Sequence, residues 1–314
     1  GYCSVGLRKK SKHKILIFGG SGFIGRALAE SAAHQEYEVT IVSRTSSSAS
    51  KIHPAINVIQ HDIQSGPSSI IQKLSFDYVI NCAGNISHQE FNFNDQYPIN
   101  THYFGLLNII SSLQIKGMKK FIQLGSSDEY GFNKAPQHES FRENPQTPYA
   151  FSKTAATHLI QMLVKNINFP GLIIRPFLAY GPYQKSNRLI PYVVQSCLEN
   201  KEFNISSGTQ LKDFLYIDDL IEAIFLCLDA DQSLNGKIFN IASGQPISIK
   251  ELVRIIQTLC QGGSANFGAR HLPAKENFEL YGDITSANDH LGWKPRTSLE
   301  NGLDKVISHI RNNG

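Results

Sequence analysis

Gly19-Gly20-Ser21-Gly22-Phe23-Ile24-Gly25 is the stretch that decides the fold. It follows a short apolar run, Lys14–Phe18, and opens a helical pattern over Gly22–Ala33. In that setting Gly19 and Gly22 permit a tight turn and close approach of the backbone to a pyrophosphate. Gly25 lets helix and strand pack closely, with Phe23 and Ile24 in the same turn. The helix N-terminus adds free amides and the positive end of its dipole. A lone glycine motif is weak evidence; between a strand and a helix it predicts a dinucleotide site.

Outward from this turn, short β-rich runs alternate with helical segments. Strands are expected at Glu38–Ser43, Asn57–Gln60, Tyr78–Asn81, Phe121–Gly125 and Gly171–Arg175, with helices near Ser68–Leu74, Gln96–Lys116 and beyond Pro148. Strands that are apolar throughout are buried on both faces, so the fold class is α/β, a doubly wound parallel sheet of Rossmann type. Beyond Gly181 the pattern loosens. Leu189–Asn200, Asp218–Asp229, Ser248–Cys260 and Leu299–Arg311 read as helices, and Phe214–Ile217 and Lys237–Ile241 as strands. The organisation expected is a lead-in at 1–13, a dinucleotide domain at 14–180, and a smaller substrate lobe at 181–314. Residues 213–245 are partly threaded back into the main sheet. The cleft between the lobes, outside the carboxyl ends of the strands, is where substrate is expected.

The 314 residues are 41% hydrophobic and 18% charged, with a formal net charge of +4. This composition reads as soluble and globular. The basic cluster Arg8, Lys9, Lys10, Lys12 and Lys14 reads as a solvated tail, because no basic-aromatic pattern follows it; a nucleic-acid partner is not expected. Cys3, Cys82, Cys197, Cys227 and Cys260 are odd in number, widely spaced and without a CxxC, so no metal or disulfide framework is expected. A reducing, cytoplasmic setting fits. No apolar run reaches membrane-spanning length, and the start lacks a signal-peptide core.

A second constellation lies at Thr147-Pro148-Tyr149-Ala150-Phe151-Ser152-Lys153. Thr147 suits an N-cap and Pro148 the first helical position. Tyr149 and Lys153 then share one helix face. An ammonium beside a phenol favours the phenolate and lowers its pKa, which suits proton exchange with a substrate oxygen. The plainer reading is an amphipathic helix with an exposed lysine, and the glycine turn upstream weighs against it.

The residues after the second strand, Val42-Ser43-Arg44-Thr45, choose the cofactor. An acid there would bind a ribose hydroxyl, whereas an arginine accommodates a 2′-phosphate. Ser43 and Arg44, with no acid, point to NADP rather than NAD; the plainer reading of Arg44 is a solvated surface arginine. Arg26, a cation in the first helical turn, hints at a nearby anion. Asp62 fits either an adenine contact or a turn.

Taken with Asn81-Cys82-Ala83-Gly84, Gly125-Ser126-Ser127-Asp128-Glu129-Tyr130-Gly131, Arg175-Pro176-Phe177-Leu178-Ala179-Tyr180-Gly181-Pro182, Lys212-Asp213-Phe214-Leu215-Tyr216-Ile217-Asp218-Asp219 and Leu291-Gly292-Trp293-Lys294-Pro295, these motifs resemble the extended short-chain dehydrogenase/reductase family, which acts mostly on nucleotide sugars. The resemblance covers about residues 14–311. It implies that Ser126 bonds the reacting oxygen, with Ser127 as the fallback and Asp128 as a possible further catalytic group. It implies cofactor contacts from Ile63, Cys82, Ala83, Gly84, Lys153 and Pro176, and substrate contacts from Ser127, Asp128, Leu178, Arg188, Lys212 and Lys275. Leu178 stands where the family often has Asn. Lys212 and Lys275 stand where it often has arginines that reach the substrate phosphates; lysine keeps the charge but loses the bidentate fork. The resemblance also implies a homodimer, its Gln96–Lys116 and Pro148–Ile167 helices paired across a two-fold axis by stripes of Leu106, Ile109, Ile110 and Leu113 on one and Leu159, Met162 and Leu163 on the other; the plainer reading is that these residues cover the sheet.

Three reactions share such an apparatus: reduction of a keto sugar, epimerisation and 4,6-dehydration. The NADP signal and the segment GSSDEYG favour an NADPH-dependent reductase of a 4-keto-6-deoxy nucleotide sugar. The alternatives are an epimerase or dehydratase with retained NAD(P), or an NADP-sensing scaffold without turnover.

Overall fold

The computed structural model describes residues 12–45, 53–273 and 275–313. Cys3, most of the basic tail and the polar loop Ser46–Ser50 lie outside them. The first half alternates β1 (Lys14–Phe18), α1 (Phe23–His34), β2 (Glu38–Ser43), β3 (Asn57–Gln60), β4 (Tyr78–Asn81), α2 (Tyr97–Ile99), α3 (Gly105–Ser112), β5 (Lys120–Leu124), α4 (Pro148–Ile167) and β6 (Gly171–Pro176). The second half adds β7 (Leu178–Tyr180), α5 (Leu189–Leu198), β8 (Glu202–Ile205), β9 (Leu211–Lys212), β10 (Phe214–Tyr216), α6 (Ile217–Leu228) and β11 (Ile238–Ile241). It ends with β12 (Ile247–Ser248), α7 (Ile249–Cys260), β13 (Ser264–Phe267), β14 (Glu279–Leu280), α8 (Thr285–Leu291) and α9 (Leu299–Asn313).

Seven strands form one parallel sheet in the order β11-β6-β5-β4-β1-β2-β3. Strand order reverses between β1 and β4, and a crevice opens at their carboxyl ends. Along β1, Ile15 and Ile17 join one apolar cluster while Leu16 and Phe18 join the other. That alternation is why the strand is apolar at every position after Lys14. The edge strand β11 returns from the second half of the chain to pair with β6.

Helix α4 begins as the sequence dictates. The Thr147 side chain accepts the Ala150 amide at 3.1 Å, Pro148 occupies the first turn, and Asn168 ends the helix in the left-handed conformation. The helix expected over Gln96–Lys116 is instead broken. A π-helical stretch, Asn100–Phe104, separates α2 from α3, and Leu113 is already extended. The helix expected near Ser68–Leu74 shrinks to one 3-10 turn, Ile71–Lys73. The short strands β7, β8, β9 and β12 to β14 are too brief to show a period in sequence.

Asp213, fully buried between β9 and β10, ties the second half together. Its carboxylate accepts the amides of Ser243 at 2.7 Å, Gly244 at 2.9 Å and Gly282 at 3.2 Å.

Candidate active site

Backbone geometry shapes the crevice. Gly19 has φ +74°, and a Cβ there would lie 2.6 Å from the Cys82 carbonyl oxygen; a Cβ on Gly25 would collide with the Gly19 carbonyl. These glycines leave room for a ligand and for the helix at once. Gly22 is the N-cap of α1, makes no side-chain cap, and is followed by a first turn without acids. The first-turn amides beyond it therefore lack a side-chain cap, a setting that suits an anion. The groove is lined by Gly19, Ser21, Gly22, Ser43, Arg44, Asp62, Ile63, Cys82, Ala83 and Gly84, among others. Phe23, Ile24 and Gly25 lie deeper in α1, and Pro176 closes β6 beside Ile241. These residues fit a nicotinamide dinucleotide by the space the glycines leave.

The second-strand end carries Ser43, whose hydroxyl donates to the Thr45 carbonyl at 3.0 Å and lies 3.2 Å from Ser21 Oγ. Arg44 is exposed at the rim. Asp62 accepts the Gln64 amide at 3.0 Å, so it serves as a cap while also lining the groove. Arg26 is occupied elsewhere: it pairs with Glu30 at 3.5 Å and stacks 4.5 Å over Tyr183, which removes it as a sign of bound anion. Burial pushes the Cys82 thiol up to about 12, so it is an inert apolar lining group.

Ser126, Tyr149 and Lys153 lie near one another, with Lys153 beside Cys82 of the groove and Tyr149 against His102. Ser126 starts a 3-10 turn, Ser127–Tyr130, and its hydroxyl accepts the Asp128 amide at 3.1 Å. Ser126 lies near enough to Tyr149 to pull its pKa down. Lys153 is buried; its ammonium donates to the Leu124 carbonyl at 2.9 Å and lies 6.0 Å from the Tyr149 ring centroid. Burial lowers the Lys153 pKa to about 8, against the opposing pull of Glu129 and Cys82. Burial raises the Tyr149 pKa and Asp128 adds to it, while Ser126 and Arg188 pull it down. The expectation that Lys153 makes the phenol acidic meets an opposing cause in the protein alone: desolvation dominates and favours the neutral phenol of Tyr149.

Asp128 reaches toward the same space from the turn. Burial raises its pKa, with His88 and Lys212 opposing. Ser127 is buried beside it. Arg188, half-buried at the N-cap of α5, is a cation whose charge pulls the phenol's pKa down. Leu178 is half-buried in β7. Lys212 pairs with Glu276 at 2.7 Å and donates to the Asn277 carbonyl at 2.8 Å, so its charge is already committed; Lys275 is exposed next to it.

Three buried residues escaped the sequence reading. His102, in the π-helical stretch, stacks edge-on against Tyr149 at 4.9 Å and accounts for Gly84, where a Cβ would strike its ring. Its Nε2 donates to the Asn85 carbonyl at 3.1 Å, and burial lowers its pKa to about 3. Glu129 and Arg175 pair at 2.9 Å, both fully buried, directly behind Ser126. For Glu129 a signal existed: Ser126-Ser127-Asp128-Glu129 spells a capping box, and the turn forms one.

Known proteins place the chain. The model of the "NAD dependent epimerase/dehydratase family" matches residues 15–242. The chain belongs to this family. Its full length is similar to a putative UDP-glucose 4-epimerase of Methanocaldococcus jannaschii, 27% identical over 95% of this chain and 99% of that protein. The dTDP-D-glucose 4,6-dehydratase of Mus musculus is 26% identical over 96% of this chain and 89% of its own. Among solved structures, the UDP-glucuronic acid 4-epimerase of Bacillus cereus, in complex with UDP-glucuronic acid and NAD, superposes with a TM-score of 0.86. It is 25% identical, and the match covers 96% of this chain and 100% of that one. Like other epimerase/dehydratase family members in fold and motif order, this chain is an extended short-chain dehydrogenase/reductase. The family's cofactor is described as NAD, and the similarity does not carry the NADP preference read from Arg44.

Proposed function

We propose that the protein is a nucleotide-sugar epimerase working at a sugar carbinol through a transient ketone. A nicotinamide dinucleotide bound at the glycine turn would accept the carbinol hydride and return it. Residues 14–180 would hold that dinucleotide, and the 181–314 lobe the sugar nucleotide. Tyr149 exchanges a proton with the sugar oxygen, Ser126 hydrogen-bonds the same oxygen as charge develops, and Lys153 supplies positive charge and holds the nicotinamide ribose. Asp128 and Ser127 face the sugar, and Arg188 takes an anionic group of the substrate. A symmetric homodimer goes with this reading.

The observation that supports it is the closeness of Ser126, Tyr149 and Lys153 to one another, with Lys153 beside Cys82 of the groove at the glycine turn. Dehydration asks for a second acid facing the sugar; the acid next to Asp128 is Glu129, which is fully buried against Ser126, Thr157 and Arg175. The test incubates the purified protein with NAD and with UDP-glucose, UDP-glucuronic acid or dTDP-D-glucose, and resolves the sugars by chromatography. Interconversion of 4-epimers without net NADH formation supports the reading. Loss of water to a keto product, or no conversion of any of the three, overturns it.

A second reading is net reduction of a 4-keto-6-deoxy nucleotide sugar by NADPH. Two observations favour it: Arg44 at the groove rim without an acid at the end of β2, and a neutral Tyr149 suited to donating a proton. Stoichiometric NADPH oxidation with such a keto sugar, and no epimer formed from the three nucleotide sugars, would establish it in place of the first.

A further inference from the structure

We propose that Glu129 is a positioning residue, which locks the turn carrying Ser126 to the helix face carrying Tyr149 and Lys153. This rests on the catalytic reading above. Glu129 is fully buried and its two oxygens reach three elements. Oε2 accepts the Ser126 amide at 2.8 Å. Oε1 accepts the Thr157 hydroxyl at 2.7 Å and Arg175 Nη2 at 2.9 Å. Thr157 lies one turn beyond Lys153 and two beyond Tyr149, on the same face of α4. One carboxylate thus fixes the spacing between the hydroxyl of Ser126 and the phenol of Tyr149. Gly125 is shaped for it: a Cβ there would lie 2.5 Å from Glu129 Oε2.

A buried charge is an expensive way to fill a core. Arg175 accounts for part of it, but Arg175 also pairs with Glu143 at 2.8 Å and stacks 4.7 Å over the Tyr130 ring. What Glu129 alone adds is a negative charge behind the catalytic pair. The groups facing Lys153 are Glu129, Cys82, the Tyr149 ring and His102. Of these Glu129 is the strongest source of pull toward the cationic form, and it also holds the Tyr149 phenol up. Removing the charge lets Lys153 fall further below about 8, so it loses its proton at lower pH.

The test compares Glu129→Gln, Glu143→Gln, Thr157→Val and Tyr149→Phe, each with NAD and the three nucleotide sugars named above. Glu129→Gln is expected to lower kcat by about 10- to 100-fold, as for a displaced catalytic group, with KM changed by less than about threefold. The alkaline limb of its kcat profile should move to lower pH. Glu143→Gln, which removes the other partner of Arg175, should do neither. Competitive acetylation of Lys153, read by mass spectrometry across pH, reports the same shift without turnover. Glu129→Gln matching Glu143→Gln in kcat, limb and Lys153 titration would overturn the role. If Glu129→Gln does not fold, Thr157→Val decides: a kcat drop of about 3- to 10-fold at unchanged KM supports the lock, and unchanged kcat refutes it. A fully active Tyr149→Phe removes the catalytic reading and the positioning role with it. An inactive Tyr149→Phe beside a harmless Glu129→Gln sinks the positioning role alone.

Discussion

At the scale of single residues, the site works by balancing burial against charge. Tyr149 is kept neutral by desolvation and Lys153 is brought to about 8 by the same cause. Tyr149→Phe keeps the ring and its edge contact with His102 but removes the exchangeable proton. Turnover should fall by about 100- to 10,000-fold, with NAD affinity measured by calorimetry nearly unchanged. Retained turnover would mean another group moves the proton. A lysine with a lowered pKa is charged below that value and neutral above it. Activity that needs cationic Lys153 should therefore hold below about pH 8 and decline as pH rises through it; a kcat profile flat to pH 10 contradicts this. Tyr149, Lys153 and Ser126 were legible because each sits in a string whose spacing has a mechanical meaning. His102 and Glu129 were not, since a buried histidine or glutamate looks like any surface polar residue until its neighbours are known.

At the scale of elements, strands and long helices were readable nearly to the residue. β1, β2 and β4 fall on the expected bounds because two-sided burial demands near-unbroken apolar runs; the exposed edge strand β3 falls on them too, without that cause. The failures are where tertiary contacts override local pattern. The π-helical stretch Asn100–Phe104 has a helical sequence, yet it sets His102 against Tyr149 and Gly84. Asp213 is the opposite case, a charged residue in a short apolar run whose purpose appears only when Ser243, Gly244 and Gly282 arrive from distant segments. Asp213→Ala would leave three amides without their acceptor in a buried place. The expected loss is roughly 3 kcal/mol of stability, read from the midpoint of urea unfolding. A variant within about 0.5 kcal/mol of the wild type would show that these amides find other partners.

At the scale of the whole molecule, the apolar stripes expected to pair two copies have another duty. Leu106 and Ile109 are fully buried against the sheet, and Ile110, Leu113, Leu159 and Leu163 pack on the same cluster. Of the expected set Met162 is turned outward, and Phe104 and Phe151 join it. Phe104, Phe151 and Met162 are 50%, 52% and 48% exposed, on the π-helical stretch and on α4, which pack side by side. Single exposed apolar residues are ordinary; large ones on two adjoining elements are where self-association would bury apolar area. A two-fold axis would set each patch against its own copy. Sedimentation velocity at micromolar concentration should show a dimer, and Phe104→Glu with Phe151→Glu should convert it to monomer. Both positions face outward, so the double variant should lose little intrinsic stability beyond what association supplies. A wild-type protein that sediments only as monomer would leave these side chains as plain surface and remove the homodimer from the functional reading.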